Sequence, residues 1–138
     1  MKRLFFVLGL AALLAACSTD HSSIDGTWTA AFTGTDTFNL TTSLTAVSNN
    51  GLSVTNLTFN TQDPCFPGTS TATGAFVVSG TFNGVSSGGF QMTVNSSSGS
   101  NQLQLNGTLH NNTVTGTWTL TGSTSGCSGT GTFTMNKS

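Results

Sequence analysis

From Gly26 to the C-terminus, apolar or glycine residues alternate with Thr, Ser or Asn almost without interruption. A two-residue period sends successive side chains to opposite faces of an extended chain, the pattern of half-buried β-strands. The inward-phase sets are Trp28, Ala30 and Phe32; then Phe38, Leu40, Thr42, Leu44 and Ala46; then Leu52 and Val54, continued by Leu57 and Phe59. The phase slips by one residue near Asn56, which predicts a β-bulge there. Further sets are Ala72, Gly74, Phe76, Val78, Gly80 and Phe82; Phe90, Met92 and Val94; Leu103, Leu105, Gly107 and Leu109; Val114, Gly116, Trp118 and Leu120; and Gly129, Gly131, Phe133 and Met135. The opposite phase is mostly Thr, whose β-branch favours extended backbone while its hydroxyl faces water.

Turn signals separate the sets at Ser48-Asn49-Asn50-Gly51, Asn83-Gly84, Ser97–Asn101 and Asn111-Asn112. These read as hairpins between antiparallel neighbours. The expected fold is all-β, an antiparallel up-and-down meander of about 7–8 strands. A small closed barrel is favoured over a two-sheet sandwich. Open sheet edges are usually guarded by charge or proline, and after residue 63 the only charged side chain is Lys137. Closure removes the edges, and inward glycines at 74, 80, 107 and 116 suit bending at barrel corners. Large aromatic residues in phase with the alternation argue against a disordered Ser/Thr/Gly-rich chain. The recurrent Gly-Thr-aromatic units are too unevenly spaced for a solenoid.

The N-terminus has a different character. Met1-Lys2-Arg3 precedes an apolar run over residues 4–16, too short to span a bilayer comfortably and expected to form the helix of a secretory signal. Leu14-Ala15-Ala16-Cys17 resembles the lipobox of bacterial lipoproteins. That resemblance implies diacylglycerol on the Cys17 sulfur, cleavage before Cys17 and fatty acylation such as palmitate on the new amino group, enough for stable membrane anchoring. Ser18, rather than Asp, after the cysteine implies the outer membrane of a two-membrane envelope. The resulting division is a signal peptide at 1–16, a lipidated tether at 17–25 and one β-domain at 26–138. With Cys17 set aside, Cys65 and Cys127 are an even pair in an exported chain, with no zinc-type spacing. A Cys65–Cys127 disulfide is expected, pinning two turn-like segments at one end of the fold.

The mature chain carries four Asp against one Lys, a net charge of −3. This excludes nucleic-acid binding, which rests on Lys and Arg neutralising phosphates. Residue types for catalysis are scarce. Gly84-Val85-Ser86-Ser87-Gly88 fits the nucleophile-elbow pattern, but that motif needs a strand, a turn and then a helix, and here it lies in a hairpin. His110 falls in an Asn-rich turn and His21 in the tether. Asp36 and Asp63 read as turn residues. No metal or cofactor is expected, and no enzyme activity; a hydrolase is the remote alternative.

Gly26-Thr27-Trp28 followed by hairpins, and Gly116–Thr121, are similar to strands of avidin-like and lipocalin-like barrels. The chain has two Trp and no Tyr, so a biotin site is not implied. The expected role is a lipid-anchored envelope protein binding a small apolar ligand, with Trp28, Phe76, Phe90 and Trp118 as candidate pocket lining. The alternative is a filled core and an outer face that contacts envelope polysaccharide or protein.

Overall fold

A computed structural model describes residues 24–35, 37–59, 63–82 and 85–138. The chain forms eight antiparallel strands: β1 (Gly26–Gly34), β2 (Asn39–Val47), β3 (Gly51–Phe59), β4 (Thr71–Phe82), β5 (Val85–Asn95), β6 (Asn101–His110), β7 (Thr113–Gly122) and β8 (Gly129–Lys137). Each pairs with its sequence neighbour, and β1 pairs with β8 to close a barrel. The closing seam runs from Trp28↔Lys137 to Gly34↔Gly131. Barrel rather than sandwich is therefore the architecture, and the weakly charged sheet has no free end strand to guard. The signal segment, Cys17, His21 and Asp36 lie outside the described residues.

The alternation explains the core. Trp28, Ala30, Phe32, Phe38, Leu40, Leu44, Phe90, Met92, Val94, Leu103, Leu105, Leu109, Val114, Trp118, Leu120, Phe133 and Met135 are all buried. An eight-stranded barrel is just wide enough for such side chains to fill. Phe32 stacks on Phe38 with ring centroids 4.3 Å apart, and Trp118 meets both rings edge-on at 6.1 and 5.5 Å. Gly107 lets Phe133 pack against its strand, since a Cβ there would come 3.0 Å from the ring and 2.6 Å from the Thr115 carbonyl oxygen.

Local irregularities follow local chemistry. The register between β2 and β3 shifts between Thr41 and Ser43, opposite Asn56, whose φ of 51° is left-handed. This is the bulge expected from the phase slip; Asn tolerates that conformation better than most residues. Asn49 and Asn50, at φ 60° and 58°, make the two-residue turn into β3, with Gly51 N–H donating to the Ser48 carbonyl. Positive φ at both central residues matches the twist that a tight hairpin needs.

Two readings need correction. Val78 and Gly80 share the inward phase of Phe76, yet both are exposed. There β4 has run past β3 and has no barrel interior to face, and the β4–β5 register shifts between Val78 and Gly80, which takes Gly80 out of the phase of Phe76. At the start of the domain, Ile24 and Asp25 are structural rather than tether. Ile24 is fully buried, and Asp25 Oδ1 accepts the Ala46 N–H at 2.6 Å.

Candidate functional site

The barrel wall is complete except between β3 and β4. These strands share only the pairs Gly51↔Ala75 and Leu52↔Gly74, plus a bond from Phe76 N–H to the Asn50 carbonyl. Beyond them, the second half of β3 diverges from the start of β4. The connection over residues 63–70 contains Pro64 and Pro67, which lack the N–H that a ladder requires. It folds instead as a turn: Asp63 Oδ1 accepts the Cys65 N–H at 2.8 Å, and the Asp63 carbonyl accepts the Phe66 N–H at 3.1 Å. Asp63 is thus a buried turn-former, as its Asp-Pro context suggested.

Three attachments hold this segment against the barrel end. Cys65 is disulfide-bonded to Cys127 of the β7–β8 connection. The Asn101 amide donates to the Cys65 carbonyl at 2.7 Å, and its Oδ1 accepts the Thr124 N–H at 3.5 Å. Ser97 Oγ donates to the Pro67 carbonyl at 3.1 Å. The buried Asn101 therefore joins three loops. In the amino-acid order it stands at the end of a Ser/Gly turn, and nothing local marks its side chain as a hub. The cysteine count did reveal the bridge and its place between two loops at one barrel end.

Between β3 and the 63–70 segment lies a cleft of about 490 Å³. Leu57, Phe59, Pro64, Phe66 and Pro67 supply apolar walls, with Thr58 and Ser70 as hydroxyl-bearing members; Asp63 also borders the cleft, its Oδ1 taken by the Cys65 N–H. Phe59 and Phe66 stack, centroids 4.7 Å apart and planes at 10°. Phe66 is buried and held through its neighbour Cys65, while Phe59 is only half-buried. Ser70 Oγ is buried without a hydrogen-bond partner among the described residues.

The residues expected to line a pocket lie elsewhere. Trp28, Phe76, Phe90 and Trp118 are buried in the common core; none of them lines this cleft, and Phe90 borders a separate, smaller recess with Ala75, Val77 and Gln91. Both indoles are satisfied by backbone: Trp28 Nε1 donates to the Ile24 carbonyl at 2.8 Å and Trp118 Nε1 to the Thr33 carbonyl at 3.0 Å. The structure thus uses these rings to fill the barrel, with the indole donors spent on the chain itself. Phe59 and Phe66 form an aromatic pair that the alternation does not announce. Phe59 is in the inward phase, and Phe66 sits in a connection with no periodicity to place it.

Ionisable groups are dispersed. His110 is exposed at the last residue of β6, at the barrel end opposite Asp63. Among the described residues no three His, Cys, Asp or Glu side chains gather. Val85–Gly88 of the nucleophile-elbow pattern is strand β5, which continues to Asn95 rather than turning into a helix.

Residues 1–18 match the family model of the prokaryotic membrane lipoprotein lipid attachment site. No curated protein and no solved structure matches the chain. The chain thus joins a bacterial lipoprotein signal, which implies export and lipid attachment to a membrane, to an eight-stranded β-barrel.

Proposed function

We infer that the protein is a non-enzymatic envelope lipoprotein that binds a small, uncharged ligand with a flat apolar face in the cleft between β3 and residues 63–70. The observation that carries this reading is the Phe59–Phe66 stack in that cleft, with proline on either side of Cys65-Phe66. Flat rings and prolines recognise apolar faces at low entropic cost, and the disulfide and Asn101 hold the wall in advance of binding. The Ser70 hydroxyl offers one polar contact to a ligand atom reaching that wall. Ser18 after the lipidated cysteine favours the outer membrane. The scarcity of ionisable side chains supports a binding rather than a catalytic role.

The test is titration of the uncharged, environment-sensitive dye Nile red into residues 18–138, exported without the lipid. Saturable one-to-one binding is expected, abolished by Phe59→Asp while circular dichroism is unchanged. Dye binding that ignores Phe59→Asp, or none at all, removes the cleft as a ligand site. It would favour the second reading, supported by the packed interior, in which the barrel acts through its Thr-rich outer face on envelope polysaccharide or protein.

A further inference from the structure

In an up-and-down barrel the two ends are set by strand parity. The β2–β3, β4–β5 and β6–β7 connections share one end with the start of β1 and the end of β8. The chain therefore leaves for its lipid anchor from that end, and Ile24 fixes the exit. Its side chain is fully buried and its carbonyl is bound by Trp28. From Ile24 back to Cys17 is about seven residues, at most roughly 25 Å even when extended. The cleft and the disulfide occupy the opposite end.

The anchor end is also where apolar surface is left uncovered. Among the described residues the exposed large apolar side chains are Val47, Val77 and Val78, each about half exposed (50–51%). Val47 ends β2 beside the β2–β3 turn and pairs with Gly51, which pairs in turn with Ala75 of β4. The three valines thus flank one corner, Val77 and Val78 on opposite faces of the β4–β5 ribbon. Here β4 and β5 continue as a two-stranded ribbon. The pairing of β4 with β3 stops near Phe76, and that of β5 with β6 stops at Gly88↔Leu109, while Val78↔Gly88 to Phe82↔Val85 still pair with each other. No charged residue occurs between positions 64 and 136, so none lies in this ribbon. A solvent-facing ribbon is usually guarded by charge.

We propose that the anchor end of the barrel rests on the lipid bilayer that holds Cys17, with Val47, Val77 and Val78 at the apolar contact. The β4–β5 ribbon is then a second, reversible membrane attachment beside the covalent lipid. The short tether confines this end to the bilayer surface, and the valines face the phase they are there to meet. The contact at the valines is apolar, with Lys137, Asp25 and His110 at the same barrel end beside the lipid headgroups, and it turns the cleft away from the membrane.

The test uses the full lipidated chain in phosphatidylethanolamine/phosphatidylglycerol vesicles, with and without lipids brominated at acyl carbons 6 and 7. A single reporter is introduced as Val78→Trp, as Val47→Trp, or as Thr121→Trp at the opposite end. Trp28 and Trp118 give the same background in all three. Bromolipid quenching of the Val78 and Val47 reporters is expected to exceed that of the Thr121 reporter at least twofold, and the excess should persist in 1 M NaCl. Equal quenching at the two ends overturns the proposal. So does a blue-shifted but unquenched Val78 reporter with energy transfer between copies, which would assign the ribbon to a second copy of the chain.

Discussion

Trp118 on β7 reaches across β8 to Thr33 on β1, and Gly131 is what makes room for it. Trp118 and Gly131 are register partners. A Cβ at position 131 would fall 2.7 Å from the indole Nε1 and closer still to the Thr33 carbonyl oxygen that this nitrogen binds at 3.0 Å. The seam that closes the barrel thus depends on a side chain that is absent.

Gly131→Ala should therefore destabilise the barrel by about 3 kcal/mol, combining overpacking with loss of the buried indole hydrogen bond. Urea unfolding followed by tryptophan fluorescence checks this. The emission maximum of the folded variant should move to longer wavelength as the Trp118 indole is displaced.

Removing the disulfide with Cys65→Ser and Cys127→Ser should cost about 4 kcal/mol, the chain-entropy value for a 62-residue separation. The cleft wall is expected to loosen first, because Phe66 is tethered through Cys65. Limited proteolysis under native conditions should cut within residues 63–70 in the variant and spare the oxidised protein.

Asn101→Ala should cost about 2–3 kcal/mol, since it strands the Cys65 carbonyl and the Thr124 N–H. Its effect should overlap with that of the missing disulfide, because both hold the same segment. Combining Asn101→Ala with the double Cys→Ser variant should fall short of additivity by about 1 kcal/mol in urea unfolding. Strict additivity would show that the two attachments act independently.

At the bulge, Asn56→Gly should leave stability within about 0.5 kcal/mol, whereas Asn56→Val should cost about 1–2 kcal/mol. The side chain is exposed, so packing contributes little and the difference reports the left-handed backbone at φ 51°. Thermal unfolding of the two variants gives the comparison.

Short-range chemistry made much of this protein legible in its amino-acid order. The two-residue period placed Trp28, Phe32, Leu40, Phe90, Leu105, Trp118 and Phe133 in the interior. The slip at Asn56 located the bulge, paired asparagines marked tight turns, and counting cysteines paired Cys65 with Cys127. Each of these rests on neighbours within a few residues or on residue type alone. Tertiary structure decided what depends on registers between distant strands. Ring closure joins Trp28 to Lys137. The two-pair contact of β3 with β4 opens the wall and so brings Phe59 against Phe66. Val78 keeps its strand phase but loses the interior it would have faced, because β4 outruns β3. Asn101 becomes a hub only when three loops arrive around it. Alternation says which way a side chain points. What it meets there is set by how far each neighbouring strand extends, and that length is a property of the closed barrel.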